Sequence, residues 1–209
     1  MSNETSPVSR RRGRGARERI LQAATELFTA QGVNATGMEQ LTTAAHVSKR
    51  TLYTHFASKD DLVHAYLTQL RDGRLPPQAC QSEPCPAPRG QLLAIFDWEP
   101  PTTDGPLRGC PFLNAAVEVP DPDHPVHQLA AAYKIEFAHR LTDLARQAGA
   151  RDPEELGEQL ALLYDGAACR TMALNSARAG AHARTIAAKL INEAIPRPST
   201  PPTGASTTA

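Results

Sequence analysis

The sequence predicts an all-α chain, with a small three-helix unit over residues 16–58 and a larger helical body over 59–195. Three observations predict it. Hydrophobic residues make up 41% of the 209 residues and aromatics only 5%, so the core is built mainly from Leu, Ala, Val and Ile. That mixture suits packed helices better than sheets. Apolar residues recur at helical rather than alternating spacing. Ser, Thr and Asp caps and glycine stops punctuate the pattern where helices should begin and end. A chain of this length buries a core as one medium domain, or as a small and a larger one together.

Residues 1–15 are mainly Ser, Arg and Gly with one Pro, too polar to bury anything, and read as a mobile basic arm. The first helix starts near Arg17, because Ile20, Ala24, Leu27 and Phe28 share one face, and Gly32 stops it. Thr36 and Glu39 form a T-x-x-E capping box ahead of Met38 and Leu41, giving a short helix to about Ala45. After a brief turn at His46-Val47, Ser48 caps a third helix in which Leu52 and Phe56 lie four apart. Ser58 caps a fourth, with Asp60 and Asp61 in the first turn where the helix dipole favours negative charge. Leu62, Ala65, Tyr66, Leu67 and Leu70 carry it to Arg71.

Five prolines between Asp72 and Gly90 (Pro76, Pro77, Pro84, Pro86 and Pro88) mark a linker or loop that no regular helix crosses. A short helix over Gln91–Trp98 and a broken stretch over Pro100–Gly109 follow. The apolar run Cys110–Val119 reads as a short buried helix. Two long helices come next: Val126 to about Ala148, stopped by Gly149, and Pro153 to about Ala179, capped by Asp152 and stopped by Gly180. A last helix covers Ala181–Ile195. Ala161, Ala167, Ala168 and Ala173 let helices approach closely, as in a packed or dimeric bundle. Residues 196–209 are Pro, Ser, Thr, Gly and Ala with one Arg, and read as a disordered tail.

The net charge is zero, but it is unevenly placed. Residues 1–59 hold nine Lys/Arg against four acids, so the remainder carries an excess of five negative charges. A basic head on an acidic body is the asymmetry of a chain that meets a polyanion at one end. A solvated basic tail is the plainer alternative, since six of the nine cations lie at or before Arg19. No apolar run approaches the ~18 residues of a membrane span, and the N-terminus lacks the apolar stretch of a secretory signal. The expectation is a cytoplasmic protein without membrane contact. Four cysteines (Cys80, Cys85, Cys110, Cys169) are too scattered for a disulfide scaffold, and none shows zinc-ligand spacing. His124, His127 and His139 lack ligand spacing too and read as loop and surface residues, so neither metal nor cofactor is expected.

Two short helices joined by a tight turn lay the second helix into a major groove. Lys49, Arg50, Thr51, Tyr53, Thr54 and His55 are then the candidate contacts, while Leu52 and Phe56 point to the core. A plain helical hairpin with a charged face would look similar. The residues TGMEQLTTAAHVSKRTLYTHFASKDDL, 36–62, settle the comparison, since they resemble the signature of the TetR family of bacterial regulators. The likeness runs from Arg17 to about Leu70. Thr36, Leu41, Ala45, Val47, Ser48, Thr51, Leu52, Tyr53, His55, Phe56, Lys59 and Leu62 match the family pattern; Thr42 and His46 stand where Ala and Gly are usual.

The resemblance implies an all-helical homodimer whose first three helices bind palindromic operator DNA, with Thr36 among the contacts. It also implies a larger C-terminal domain with a small-molecule pocket. Lys59 would hold a phosphate at a helix N-terminus, and the fourth helix would link pocket to head. The Arg-rich arm holds phosphates or enters a minor groove. A second stretch, Arg108–Glu118, resembles a "GC…N…E" segment of some members. Cys110 would open that helix, where the dipole favours a thiolate, and serves either as a sensor of electrophiles or as a small core residue. Asn114 and Glu118 share its face and bind a polar ligand head or tie helices together. Trp98, Phe112, Tyr133, Phe137, Tyr164 and Met172 are candidate pocket walls. Three functions compete: a repressor released by a small molecule, a regulator switched at the Cys110 thiol, and an enzyme using a Cys or His. No catalytic motif supports the last.

Overall fold

A computed structural model of the chain describes residues 7–74, 86–97 and 105–196. Among these residues the chain forms α1 (Pro7–Gln31), α2 (Met38–Ala44), α3 (Lys49–His55), α4 (Lys59–Arg74), α5 (Pro88–Ala94), α6 (Pro111–Glu118), α7 (Pro125–Gln147), α8 (Pro153–Leu174) and α9 (Arg178–Ala194), and no strand. Helices α1–α3 make the head, α5–α9 the body, and α4 packs on both α1 and α7.

The head closes on Ile20, Ala24 and Phe28 of α1, Leu41 of α2 and Leu52 of α3, with Phe56 and Leu62 beyond, all buried. Each of the Ile, Leu and Phe side chains contributes about 1.5–3 kcal/mol through the area it removes from water. Arg19 donates to the Ala45 carbonyl at 3.1 Å, supplying a cationic partner at the C-terminal end of α2. Arg17 lies over the Phe56 ring at 5.2 Å. In the body, α7 and α8 pack tightly where Gly157 meets Thr142: a Cβ there would come within 2.8 Å of the Thr142 backbone nitrogen. The Ala-rich face contributes less than expected, since Ala161 is buried but Ala173 is exposed.

Four boundaries depart from the expected ones. Helix α1 begins at Pro7, so residues 7–15 are helical rather than a mobile arm. Proline suits a first turn, and arginine is a strong helix former that carries the helix through Gly13 and Gly15. Thr36 does not cap α2. Gly37 takes that position without a side-chain bond, while Thr36 is fully buried and its hydroxyl donates to the Gly32 carbonyl at 2.7 Å. The reciprocal capping box stands instead at α4, where Ser58 N–H donates to Asp61 and Asp61 N–H to Ser58 Oγ, both at 3.0 Å.

Helix α8 stops at Leu174, because Asn175 adopts a left-handed conformation (φ 45°) and accepts the Leu107 N–H at 2.8 Å. Asn tolerates that region through local hydrogen bonding. Gly180, the expected stop, is instead buried in the first turn of α9. Helix α5 starts three residues before the expected Gln91, with Pro88 in its first turn. Gly32 (φ 93°) and Gly149 (φ 79°) end α1 and α7 as expected. The expected tail and the first six residues of the arm lie outside the described residues, apart from Pro196, as do Trp98, Cys80 and Cys85.

Candidate nucleic-acid interface and effector site

Local sequence fixes the geometry of α2, turn and α3. Ser48 accepts the Thr51 N–H at 3.0 Å and opens α3. His46 holds the turn at φ 51°, the conformation in which the family usually places glycine. Helix α3 then divides by face. Leu52 and the following Phe56 are buried, while Lys49, Arg50, Tyr53 and Thr54 are exposed. Those four occupy relative positions 0, 1, 4 and 5, one side of a helix of 3.6 residues per turn. Tyr53 is 44% exposed although it is a large aromatic with little to gain in water.

The other sequence-predicted contacts are placed less freely. Thr51 and His55 are half-buried, and the Thr51 hydroxyl lies 2.8 Å from Ser48 Oγ. The Thr54 hydroxyl donates to the Arg50 carbonyl at 2.8 Å. Lys59 is half-buried and opens α4. Thr36 leaves the interface: its side chain has no exposed surface and its hydroxyl is spent on Gly32.

In the body, Phe112, Tyr133, Phe137 and Tyr164 come together. Phe112 and Tyr133 stack at 3.6 Å, Phe137 lies 6.3 Å from Tyr133, and Tyr164 tilts against Phe137 at 5.0 Å. Met172 is 41% exposed and stands outside this cluster's buried part. The Lys134 ammonium sits 5.8 and 5.9 Å from the Tyr133 and Phe137 rings and pairs with Asp165. Burial alone pulls the Lys134 pKa down. Its neighbours Cys110 and Asp165 more than reverse that, leaving it raised. Cys110 is half-buried at the start of α6 with Lys134 as its neighbour.

Cys110, Asn114 and Glu118 do not converge on one ligand. Asn114 Nδ2 donates to the Arg108 carbonyl at 2.6 Å, closing the turn before α6. Glu118 reaches the head: it accepts the Asn34 N–H at 2.5 Å, and its carbonyl accepts Asn34 Nδ2 at 3.1 Å. Gly109 is required where it stands, at φ 67° with the Ala168 carbonyl 2.7 Å from where a Cβ would be. Lys134, Asp165 and Arg108 were missed as site residues. Lys134 follows Tyr133 and carries no local signal, and Asp165 is brought to it only by the α7–α8 crossing.

His124 caps α7 through the Val126 N–H and lies 3.2 Å from Asp60 at the start of α4. His127 Nδ1 lies 2.8 Å from the Val119 carbonyl, and His139 is exposed. Among the described residues, no group of three or more metal-ligating side chains is assembled and no helix is long and apolar enough to cross a membrane.

A capped helix-turn-helix with a polar, cationic second helix on an all-helical body defines a DNA-binding transcription regulator. A family model described as "Bacterial regulatory proteins, tetR family" matches residues 20–66, and one described as "Tetracyclin repressor-like, C-terminal domain" matches residues 91–187. The crystal structure of a TetR-family transcriptional regulator from Streptomyces coelicolor is 34% identical over 87% of this chain and 96% of that one, with a TM-score of 0.77. A putative TetR transcriptional regulator from Streptomyces avermitilis is 32% identical over 86% and 97%, with a TM-score of 0.67. The chain belongs to the TetR family, whose members are DNA-binding regulators rather than enzymes.

Among curated proteins, the transcriptional regulator TcmR of Streptomyces glaucescens is 40% identical over 55 residues, 26% of this chain. That match spans about a quarter (24%) of TcmR's own length.

Proposed function

We propose that the protein is a repressor that binds a palindromic operator as a homodimer and releases it when a small molecule occupies the body. The observation that carries the reading is the division of α3, with Lys49, Arg50, Tyr53 and Thr54 exposed together while Leu52 is buried. Lys49 and Arg50 suit phosphates or guanine edges, and Tyr53 suits the backbone. Lys59 adds a phosphate contact at the α4 N-terminus. Two heads one helical turn apart, about 34–36 Å, read the two half-sites, and a ligand that alters this spacing releases them. The effector site is the region of Phe112, Tyr133, Phe137 and Tyr164, with Lys134 and Asp165 as polar groups.

Mobility shifts on DNA upstream of the gene, at two salt concentrations with random DNA as control, test this. Specific binding that weakens with salt is expected. Substituting Arg50 by Ala should cost at least about 1 kcal/mol, roughly fivefold in affinity, if it reads a base. Binding equal to that of random DNA would overturn the operator reading.

The position of Cys110, a free and only half-buried thiol at the N-terminus of α6, favours a second reading, in which an electrophile or oxidant modifies it and releases DNA. Cys110→Ser would then keep operator binding and lose the response to such reagents. An unchanged response would exclude a thiol switch.

A further inference from the structure

Helices α2 and α3 pack on α1 and on each other. Their pose relative to the body therefore depends on the segments at their two ends, the α1–α2 turn before them and the start of α4 after them. Both ends are held by one corner of the body, residues 118–124 between α6 and α7.

At the first end, Glu118 closes α6 and takes two donors of Asn34. Its carboxylate accepts the Asn34 N–H at 2.5 Å, and its carbonyl accepts Asn34 Nδ2 at 3.1 Å. Arg108 faces the other carboxylate oxygen at 3.8 Å. The turn so gripped is itself stiff: Thr36 donates its N–H to the Val33 carbonyl at 3.2 Å and its hydroxyl to the Gly32 carbonyl at 2.7 Å, two residues before α2 begins.

At the second end, His124 Nε2 lies 3.2 Å from the carboxylate of Asp60, in the first turn of α4. Nδ1 of the same ring accepts the Val126 N–H at 3.2 Å, so Nε2 carries the proton and donates to Asp60. The corner is braced within itself. His127 Nδ1 lies 2.8 Å from the Val119 carbonyl, and Asp121 accepts the N–H of Asp123 at 3.0 Å and that of His124 at 3.1 Å. A braced corner that holds both ends passes its own position to what lies between them.

We infer that the α6–α7 corner is a two-point clamp that sets the pose of the helix-turn-helix, with Glu118 and His124 as positioning residues for DNA binding. It gives α6 a route to the head that does not pass through α4. The inference rests on DNA binding alone, not on repression or on release by a ligand. Reading bases needs a fixed pose, whereas phosphate contacts tolerate a spread of poses. Losing the clamp therefore costs sequence preference before it costs affinity for DNA at large, because specific binding must then order the head.

The test uses the full-length protein and a DNA sequence that the wild type enriches from a random pool, with the unselected pool as control. Glu118→Ala should weaken binding to the enriched sequence roughly fivefold or more and leave binding to the pool within about twofold. Glu118→Gln keeps an acceptor for the Asn34 N–H and should recover most of that loss, with a thermal melt near that of the wild type. His124→Asn still caps α7 but falls short of Asp60, and should cost about twofold, as a partly exposed tie does.

Without DNA, amide exchange in Glu118→Ala should quicken about tenfold over residues 33–48 and stay unchanged in α8. This second arm decides the matter even if no sequence is enriched. Exchange over 33–48 at the wild-type rate would overturn the clamp, as would an undiminished preference of Glu118→Ala for the enriched sequence.

Discussion

His46 is exposed and sits at φ 51°, a conformation that costs a residue with a Cβ about 1 kcal/mol. His46→Gly should therefore stabilise the chain by up to that amount, raising Tm by about 2–4 °C in a thermal melt. An unchanged or lowered Tm would show that the imidazole makes a compensating contact. The strain was legible in the sequence, because glycine is usual at this position in the family that residues 36–62 resemble. The polar partners of the body were not legible. Lys134 and Asp165 are 31 residues apart and meet only because α7 and α8 cross.

The Lys134 pKa is raised in the fold. Its pairing thus contributes stability that is complete below about pH 10.4, the unfolded value, and is lost as pH rises through the folded value. Lys134→Met should accordingly differ from the wild type by a constant amount across neutral pH, with the gap changing only above that point. Denaturant melts from pH 7 to 11, both chains carrying Cys110→Ser so that no thiol titrates beside Lys134, would show it, and a gap that changes between pH 7 and 9 would contradict it.

At the scale of elements, the starts of α2, α3 and α4 were legible to within about two residues because each carries its own start signal. Ser48 and Ser58 work as read. Thr36 deceived because T-x-x-E matches a capping box in sequence, yet the chain turns so that its hydroxyl meets Gly32 and Gly37 takes the cap. The end of α8 was misread for a related reason. Gly180 is the obvious stop, but Asn175 accepts the left-handed conformation earlier, helped by a bond from Leu107 that is 68 residues distant.

Gly157 decides how closely α7 and α8 approach. Alanine there would force its methyl into the Thr142 backbone, so Gly157→Ala should destabilise by about 1–3 kcal/mol despite its better helix propensity. A chemical-denaturation midpoint equal to the wild type's would mean that the two helices separate at no cost.

Taken whole, the molecule leaves large apolar side chains uncovered on its last two helices. Leu162 is 77% exposed and Leu174 59% on α8, and Ile186 is 46% exposed on α9. Exposed apolar side chains on these two helices suit an association surface, and burying them against a second copy is the proposed dimerisation. Leu162→Glu should shift sedimentation toward the monomer and weaken operator binding, because a single head grips one half-site only. A dimer undisturbed by that charge would place the interface elsewhere. Dimerisation could not be read from helical periodicity, which tells the covered side of a helix from the bare side but not what covers it.

Gly32 joins these scales. It ends α1, and its bare Cα faces both Arg108 and Glu118, whose carboxylate holds the next turn of the head. Every single-base missense change in a glycine codon brings in a side chain. Spontaneous mutants at codon 32 should therefore pry head from body without touching either the exposed side of α3 or the aromatic cluster. A genetic selection for variants that lose the proposed release would find this codon outside both.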